Sequence, residues 1–195
     1  MRVLYSILIT LGTPLVLLYF ALRGIRDRAY LGRWSERFGM EQNSANKRGI
    51  LVHAASVGEV NAASPLIKSL LEAHPELPVM VTTLTPSGSE RVKRVLGDRV
   101  FHSYIPFDLP FAMSRFLGHL QPRVIIVIET EIWPNLYLRA QKLNIPLMIA
   151  NARLTERSTR HYQFMSGFMA KILNTISWVG AQSSNDADRF IACGA

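Results

Sequence analysis

The sequence predicts an α/β protein in which an N-terminal transmembrane helix precedes a Rossmann-like, doubly wound parallel sheet. Three observations lead there. Of the 195 residues, 49% are hydrophobic and only 18% charged, an apolar balance for a soluble chain. The run VLYSILITLGTPLVLLYFAL, Val3 to Leu22, contains no charge. Beyond Arg48, short apolar segments alternate with stretches of helical periodicity, the pattern of a parallel sheet covered on both faces.

A helix over residues 3–22 would span about 30 Å, the thickness of a bilayer's hydrocarbon core. Pro14 is compatible with that, because spanning helices accept proline. A cleaved signal peptide is the rival; the run exceeds the usual ~7–15 apolar residues, and no small-x-small site precedes Arg23. Arg2 stands alone before the run, whereas Arg23, Arg26, Arg28 and Arg33 follow it, so the remainder is expected on the cytoplasmic side of an inner membrane, held by a single pass. The lone Cys193 suits a reducing compartment.

The chain carries a net charge of +8. Residues 23–48 form a basic interfacial segment and linker, with Arg23, Arg26, Arg28, Arg33, Arg37, Lys47 and Arg48 against Asp27, Glu36 and Glu41. Anionic headgroups would attract such a segment by about 1 kcal/mol per charge. Nucleic acid would attract it too, but a nucleic-acid-binding protein has little use for a bilayer anchor. Tyr30 to Gly39 mixes aromatic and charged residues as an interfacial helix does, and Met40 to Arg48 reads as a polar linker.

The domain proper, residues 49–195, opens with strand Gly49–Ala54, followed by a helix carrying Val60, Ala63, Ile67, Leu70 and Leu71 on one face. Val79–Thr83 is the second strand and Ser87–Leu96 the second helix. Val100–Ile105 is a weaker strand, and Met113, Phe116, Leu117 and Leu120 mark the next helix. Val124–Ile128 is the clearest central strand. Helix Asn135–Leu143, strand Leu147–Ala150, helix Tyr162–Leu173, strand Ile176–Ala181 and helix Asn185–Ala192 complete the order.

Sheets of this kind bind ligands beyond the carboxyl ends of their strands, so the loops there are the ones to inspect. The first holds Ser56, Gly58 and Glu59: a glycine permits close backbone approach, and Glu59 opens a helix. Glu59 could equally be an acid favoured by the helix dipole. The central strand runs into Glu129-Thr130-Glu131-Ile132-Trp133-Pro134-Asn135. If the strand persists that far, the two carboxylates point to opposite sides. Glu131 could instead be a capping or salt-bridge partner and Trp133 a core residue.

Thr85-Pro86-Ser87-Gly88-Ser89-Glu90 makes either a phosphate seat or an ordinary capping box of Ser87 with Glu90. Arg153, Arg157 and Arg160 would share a face if helical, suited to phosphate or simply to solvent. No G-x-G-x-x-G follows a strand, and neither a Walker loop nor a G-x-S-x-G elbow occurs. The histidines (His53, His74, His102, His119, His161) have no metal-ligand spacing with one another or with Cys193, so no metal is expected.

The ordered set GRWSERFG (32–39), HAASVGEVNAASPLIKSL (53–70), PVMVTTLTPSGSERV (78–92), YIPFDLP (104–110), IETEIWPN (128–135) and IPLMIANARLTERS (145–158) resembles the bacterial Kdo transferases of lipopolysaccharide synthesis. These move 3-deoxy-D-manno-octulosonic acid (Kdo) from CMP-Kdo to a lipid A precursor. The resemblance implies the N-terminal, acceptor-side domain of a GT-B glycosyltransferase. The donor-binding half that would take CMP-Kdo lies outside the 195 residues, so the chain is expected to be an acceptor half.

It further implies inverting transfer without a cofactor, with Glu59 as general base beside Gly58 and Glu129 as the carboxylate stabilising the transition state. Glu131 and Glu36 stand in reserve. Ser56, Gly58, Ser87, Ser89, Glu131, Arg153 and Arg157 are the substrate-binding candidates, the serines and arginines for acceptor phosphates. Two readings compete with transfer of Kdo: another membrane-associated GT-B enzyme, and a non-catalytic module that holds acidic lipid.

Overall fold

In a computed structural model, residues 1–40, 46–164 and 166–194 are described. The linker read over Met40–Arg48 falls largely outside them. The chain begins with helix α1 (Arg2–Arg26), a 3-10 turn at Arg28–Leu31 and a single-turn helix α2 (Trp34–Arg37). Then follow β1 (Ile50–His53), α3 (Val57–Ala73), β2 (Val79–Thr83), α4 (Pro86–Leu96), β3 (Phe101–Tyr104), α5 (Pro110–Leu120) and β4 (Val124–Ile128). The last elements are α6 (Pro134–Lys142), β5 (Leu147–Ala152), α7 (Glu156–Phe164), α8 (Ser166–Leu173), β6 (Trp178–Ala181) and α9 (Ser184–Ala192).

The six strands are parallel, in the order β3-β2-β1-β4-β5-β6. Val52 aligns with Val81 on one side and Ile126 on the other. Alternation along each strand sorts side chains into two cores. Leu51, Met80, Ile125 and Val127 pack under α5, α6, α8 and α9, while Val52, Val79, Val81 and Ile126 pack under α3 and α4. Strand direction of progression reverses between β1 and β4, which makes the crevice above those two strands the switch point of the fold.

Three expectations shift. The helix read from Tyr162 begins at Glu156, and two helices, α7 and α8, stand where one is expected. Arg153 therefore lies in the loop before α7, off any shared face with Arg157 and Arg160. The N-cap of α4 is Thr85, whose hydroxyl accepts from the Gly88 N–H at 3.2 Å; Pro86 takes the first helical position, so Ser87 is already inside the helix.

The segment between α1 and β1 is docked on the domain. Arg37 is fully buried, its guanidinium 4.2 Å from the Tyr104 ring centre and 4.4 Å from that of Phe20. Both of its terminal nitrogens donate to the Leu84 carbonyl, at 3.2 and 3.3 Å. This arginine thus spends its charge on aromatic faces and backbone, not on headgroups. Arg33, in a left-handed conformation (φ 58°), donates to Glu36 Oε1, Ser89 Oγ and the His102 carbonyl.

Helix α1 is apolar on every side but not equally exposed. Tyr5, Ser6, Ile9, Gly12, Thr13, Val16, Leu17, Phe20 and Gly24 form a half-buried to buried stripe at helical spacing. Phe20 joins Tyr30, Phe107, Leu109 and Ala112 in a small core of its own.

Candidate functional site

Glu59 is placed by its own helix. Ser56 is the N-cap of α3, and Glu59, three residues on, reaches back. The Ala55 N–H donates to Glu59 Oε2 at 2.7 Å and the Ser56 hydroxyl to Oε1 at 2.9 Å. This is a capping box displaced by one residue, so the dipole reading of Glu59 describes a real role. Each carboxylate oxygen keeps a second lone pair, so the group can still take a proton. Glu59 is 7% exposed, and burial pushes its carboxyl above the ordinary range, with the charge of Glu129 adding to the rise and the Ala55 and Ser56 bonds opposing it. Gly58 is exposed, in the first turn of α3, where an added Cβ would meet only Ser56 Oγ, at 3.8 Å.

The second carboxylate arrives from β4. The strand stops at Ile128, and Glu129 takes a left-handed backbone (φ 60°) while its N–H still donates to the Ala150 carbonyl at 2.9 Å. A non-glycine residue held there costs on the order of 1–3 kcal/mol. Because the chain turns at Glu129, the alternation expected to send Glu129 and Glu131 to opposite sides does not apply. Burial raises the Glu131 carboxyl, and the charges of Glu59 and then Glu129 raise it further. The three carboxylates therefore share one neighbourhood at the switch point.

Glu131 is held by its own loop. The Trp133 indole N–H donates to Oε2 at 3.1 Å, and the Tyr137 hydroxyl donates to the Glu131 carbonyl at 3.0 Å. Trp133 stands edge-on to His53, ring centres 5.8 Å apart and 86° between planes. His53 is fully buried, with Nδ1 3.0 Å from Thr82 Oγ1, and burial lowers its pKa to about 4, so the ring is neutral near pH 7.

The loop ends in α6, whose free N–H groups are capped from another part of the chain. Asp108 Oδ2 accepts from the Asn135 N–H at 2.9 Å and Oδ1 from the Leu136 N–H at 3.0 Å. The Tyr5 hydroxyl of α1 donates to the same Asp108 Oδ2, at 2.9 Å. Asp108 and Arg37 sit within YIPFDLP and GRWSERFG, yet charge and periodicity alone gave no reason to place either inside.

The remaining candidates divide. The α4 N-terminus abuts the Ser56 loop: Leu84 N–H donates to the Ala55 carbonyl at 3.0 Å, and a Cβ on Gly88 would lie 3.4 Å from that oxygen. Ser87 faces a cleft of about 830 Å³ shared with Tyr19, Arg23, Arg26 and Tyr30. Ser89 points away, bonded to Arg33 and close to His102. Glu36, the other reserve carboxylate, accepts from Ser103 Oγ and the Tyr104 N–H and stands apart from the cluster. Arg153 is exposed, but its loop is tied to the site: its N–H donates to Thr130 Oγ1 at 3.2 Å, and Thr130 Oγ1 donates to its carbonyl. Arg157 is exposed on α7.

The arrangement offers one buried, hydrogen-bonded carboxylate of raised basicity, two further carboxylates beside it, and hydroxyl and arginine groups at the rim. It can take a proton from a neutral hydroxyl and balance positive charge developing nearby.

Comparison with known proteins identifies relatives of the chain. The family described as 3-Deoxy-D-manno-octulosonic-acid transferase (kdotransferase) matches residues 32–195. The 3-deoxy-D-manno-octulosonic acid transferase of Haemophilus influenzae is 42% identical over 195 residues, covering 99% of this chain and 46% of that protein. The enzyme of the same name from Bordetella pertussis is 33% identical over 151 residues, 75% of this chain and 35% of the other. That of Rickettsia bellii is 29% identical over 188 residues, 96% and 45%. The chain spans less than half the length of these curated relatives. By the breadth of the match, the chain belongs to the 3-deoxy-D-manno-octulosonic acid transferase family.

Proposed function

We propose that the chain is the acceptor-side domain of an inverting glycosyltransferase that moves Kdo from CMP-Kdo to a lipid A precursor such as lipid IVA. The observation that carries this reading is Glu59, a carboxylate of raised basicity at the switch point, next to an exposed Gly58 and flanked by Glu129 and Glu131. Glu59 takes the proton from a sugar hydroxyl of the acceptor. That oxygen bonds to the anomeric carbon of Kdo as the carbon–oxygen bond to CMP breaks, and CMP departs with the electron pair. General-base assistance of this kind contributes about 10²–10⁴-fold. Glu129 offsets the positive charge that develops on the Kdo ring and, by its own negative charge, helps keep Glu59 basic.

Ser87, on the cleft between α1 and α4, and Arg153, beside Thr130, serve the acceptor's phosphates; Arg157 extends the same basic rim. CMP-Kdo is bound by a second domain of the kind the longer relatives have room for. Helix α1 attaches the domain to the cytoplasmic side of the bacterial inner membrane, with the basic residues at its C-terminal end facing anionic lipid. The sequence-based expectation for that attachment is a single-pass helix.

A transfer assay with CMP-Kdo and a tetra-acylated lipid A precursor in detergent micelles tests the reading. The 195-residue chain is run beside a version extended by a donor domain of the family. Product from the extended chain alone is the expected result. No product from either, with both folded, would replace the reading with a non-catalytic lipid-holding module.

A further inference from the structure

Helix α1 is fastened to the domain near both of its ends. Near its start the Tyr5 hydroxyl donates to Asp108, itself 3% exposed, and the Tyr5 ring lies 6.0 Å from that of Phe168. Ser6 donates to Asn135 Oδ1 at 3.2 Å. Near its other end Phe20 packs on Tyr30, Trp34 and Phe107, and a Cβ on Gly24 would lie 2.3 Å from the Leu31 side chain. From Tyr5 to Gly24 the docked stripe runs about 28 Å at 1.5 Å per residue. A helix that crossed a bilayer over that length would carry the attached domain, with its charged surface, into hydrocarbon.

The opposite side of α1 is an exposed row: Val3, Leu4, Ile7, Leu8, Leu11, Leu15, Leu18, Leu22 and Ile25 are each 49% or more exposed. Phe111, 51% exposed at the start of α5 and stacked on Phe38, adds to the apolar surface beside it. An apolar row of this length is covered in any stable state of the protein. Its ends carry Arg2 on one side and Arg23, Arg26 and Arg28 on the other, in a chain of net charge +8.

We propose that α1 lies in the plane of an anionic bilayer, its outer row sunk into the near leaflet and its inner stripe docked on the domain, so that neither end crosses the membrane. The occupant of the apolar row is lipid, because positive charge brackets the row at both ends and matches phosphate headgroups. The inference rests on the membrane attachment proposed above, but its test does not depend on sugar transfer.

The test is sidedness. In a Cys193→Ser background, single cysteines replace Arg2, before the helix, or Glu76, exposed in the loop after α3. A membrane-impermeant maleimide is applied to right-side-out spheroplasts and to inverted inner-membrane vesicles. The expected result is that both positions label in inverted vesicles and neither in spheroplasts. Labelling of position 2 in spheroplasts alone, with position 76 in inverted vesicles alone, would show a spanning helix and overturn the proposal. A second variant, Leu11→Glu with Leu15→Glu, is expected to keep its circular-dichroism melt while losing at least tenfold in binding to vesicles containing phosphatidylglycerol. Unchanged vesicle binding would show that the outer row does not contact lipid and would equally overturn it.

Discussion

Trp133 donates its indole N–H to Glu131 at 3.1 Å while its ring stands edge-on to buried His53, so one side chain ties a carboxylate of the site to the end of β1. Glu131 has a charge relationship with Glu59, which makes Trp133 a positioning residue for the cluster. Its removal acts on chemistry through Glu131, not through direct contact with substrate.

Glu59→Gln isolates proton abstraction. The amide oxygen can still accept from Ala55 N–H, so the capping geometry survives in part. In a protein extended with a donor domain, transfer is expected to fall by about 10²–10⁴-fold with the melting temperature within a few degrees of the parent. Transfer within a few-fold of the parent would mean that Glu59 is not the base.

The pH dependence of transfer carries the same assignment. A base works only when ionised, and burial of Glu59 favours its protonated form, with Glu129 adding to the effect. The acid limb of kcat/KM is therefore expected to rise through an apparent pKa above the ordinary carboxylate value, one belonging to the three-carboxylate cluster as a unit. Glu129→Gln removes the negative charge that raises Glu59 and should move that limb to lower pH. A limb at the ordinary carboxylate position, unmoved by Glu129→Gln, would count against the cluster.

Much of this was legible in the sequence, for reasons specific to each element. Val79–Thr83 and Val124–Ile128 match the expected strands residue for residue, because a β-branched apolar run between turn residues fits a strand buried on both faces. Helix α7 was not legible over its first turns, since ERSTR offers no apolar period and its burial falls on Thr159. The turn at Glu129 was hidden too: no glycine marks it, and its left-handed backbone is held by the Ala150 carbonyl from a neighbouring strand. Likewise, a count of positive charges could not separate Arg37, held over aromatic rings, from arginines that face solvent. The inner stripe of α1 is visible only once Asp108 and Phe107 are brought beside it.

Acid is expected to destabilise the fold through two histidines. His53 is lowered to about 4 by burial, and His102 to about 3 by burial and then by the charge of Arg33. In the unfolded chain both take a proton near pH 6.5. Between that value and their folded pKa values the unfolded state binds more protons, so stability falls as pH falls from about 6.5 towards 4. Each contributes on the order of 3 kcal/mol by pH 4. A His102→Gln variant should show a shallower loss of melting temperature over that range; an unchanged slope would remove His102 from the account.

Gly49 precedes β1, where an added Cβ would lie 1.8 Å from the Pro78 carbonyl oxygen. That oxygen accepts the first bond of the β1–β2 ladder, from Ile50 N–H at 2.9 Å, and the Gly49 carbonyl accepts from Arg123 N–H at 2.8 Å. Gly49→Ala can relieve the clash only by moving backbone on both sides of the central strand. A loss of about 3 kcal/mol or more is expected, the upper end of what overpacking costs, read as a drop in the denaturant midpoint. A variant within 1 kcal/mol of the parent would mean that the edges of β1 and β2 separate easily.

Trp133→Phe separates packing from positioning. The smaller ring keeps contact with His53 but cannot donate to Glu131, so most of the fold's stability should remain. A hydrogen bond to a charged group is worth about 1.5–3 kcal/mol, and part of that is recovered by water at this half-exposed loop. Transfer in the extended protein is expected to fall about 5- to 20-fold, mostly in kcat, with the cluster's acid limb shifted to higher pH because the indole bond that holds the Glu131 carboxyl down is lost. If kcat and the limb both stay in place while only the melting temperature drops, Trp133 serves packing alone and Glu131 is not held for chemistry.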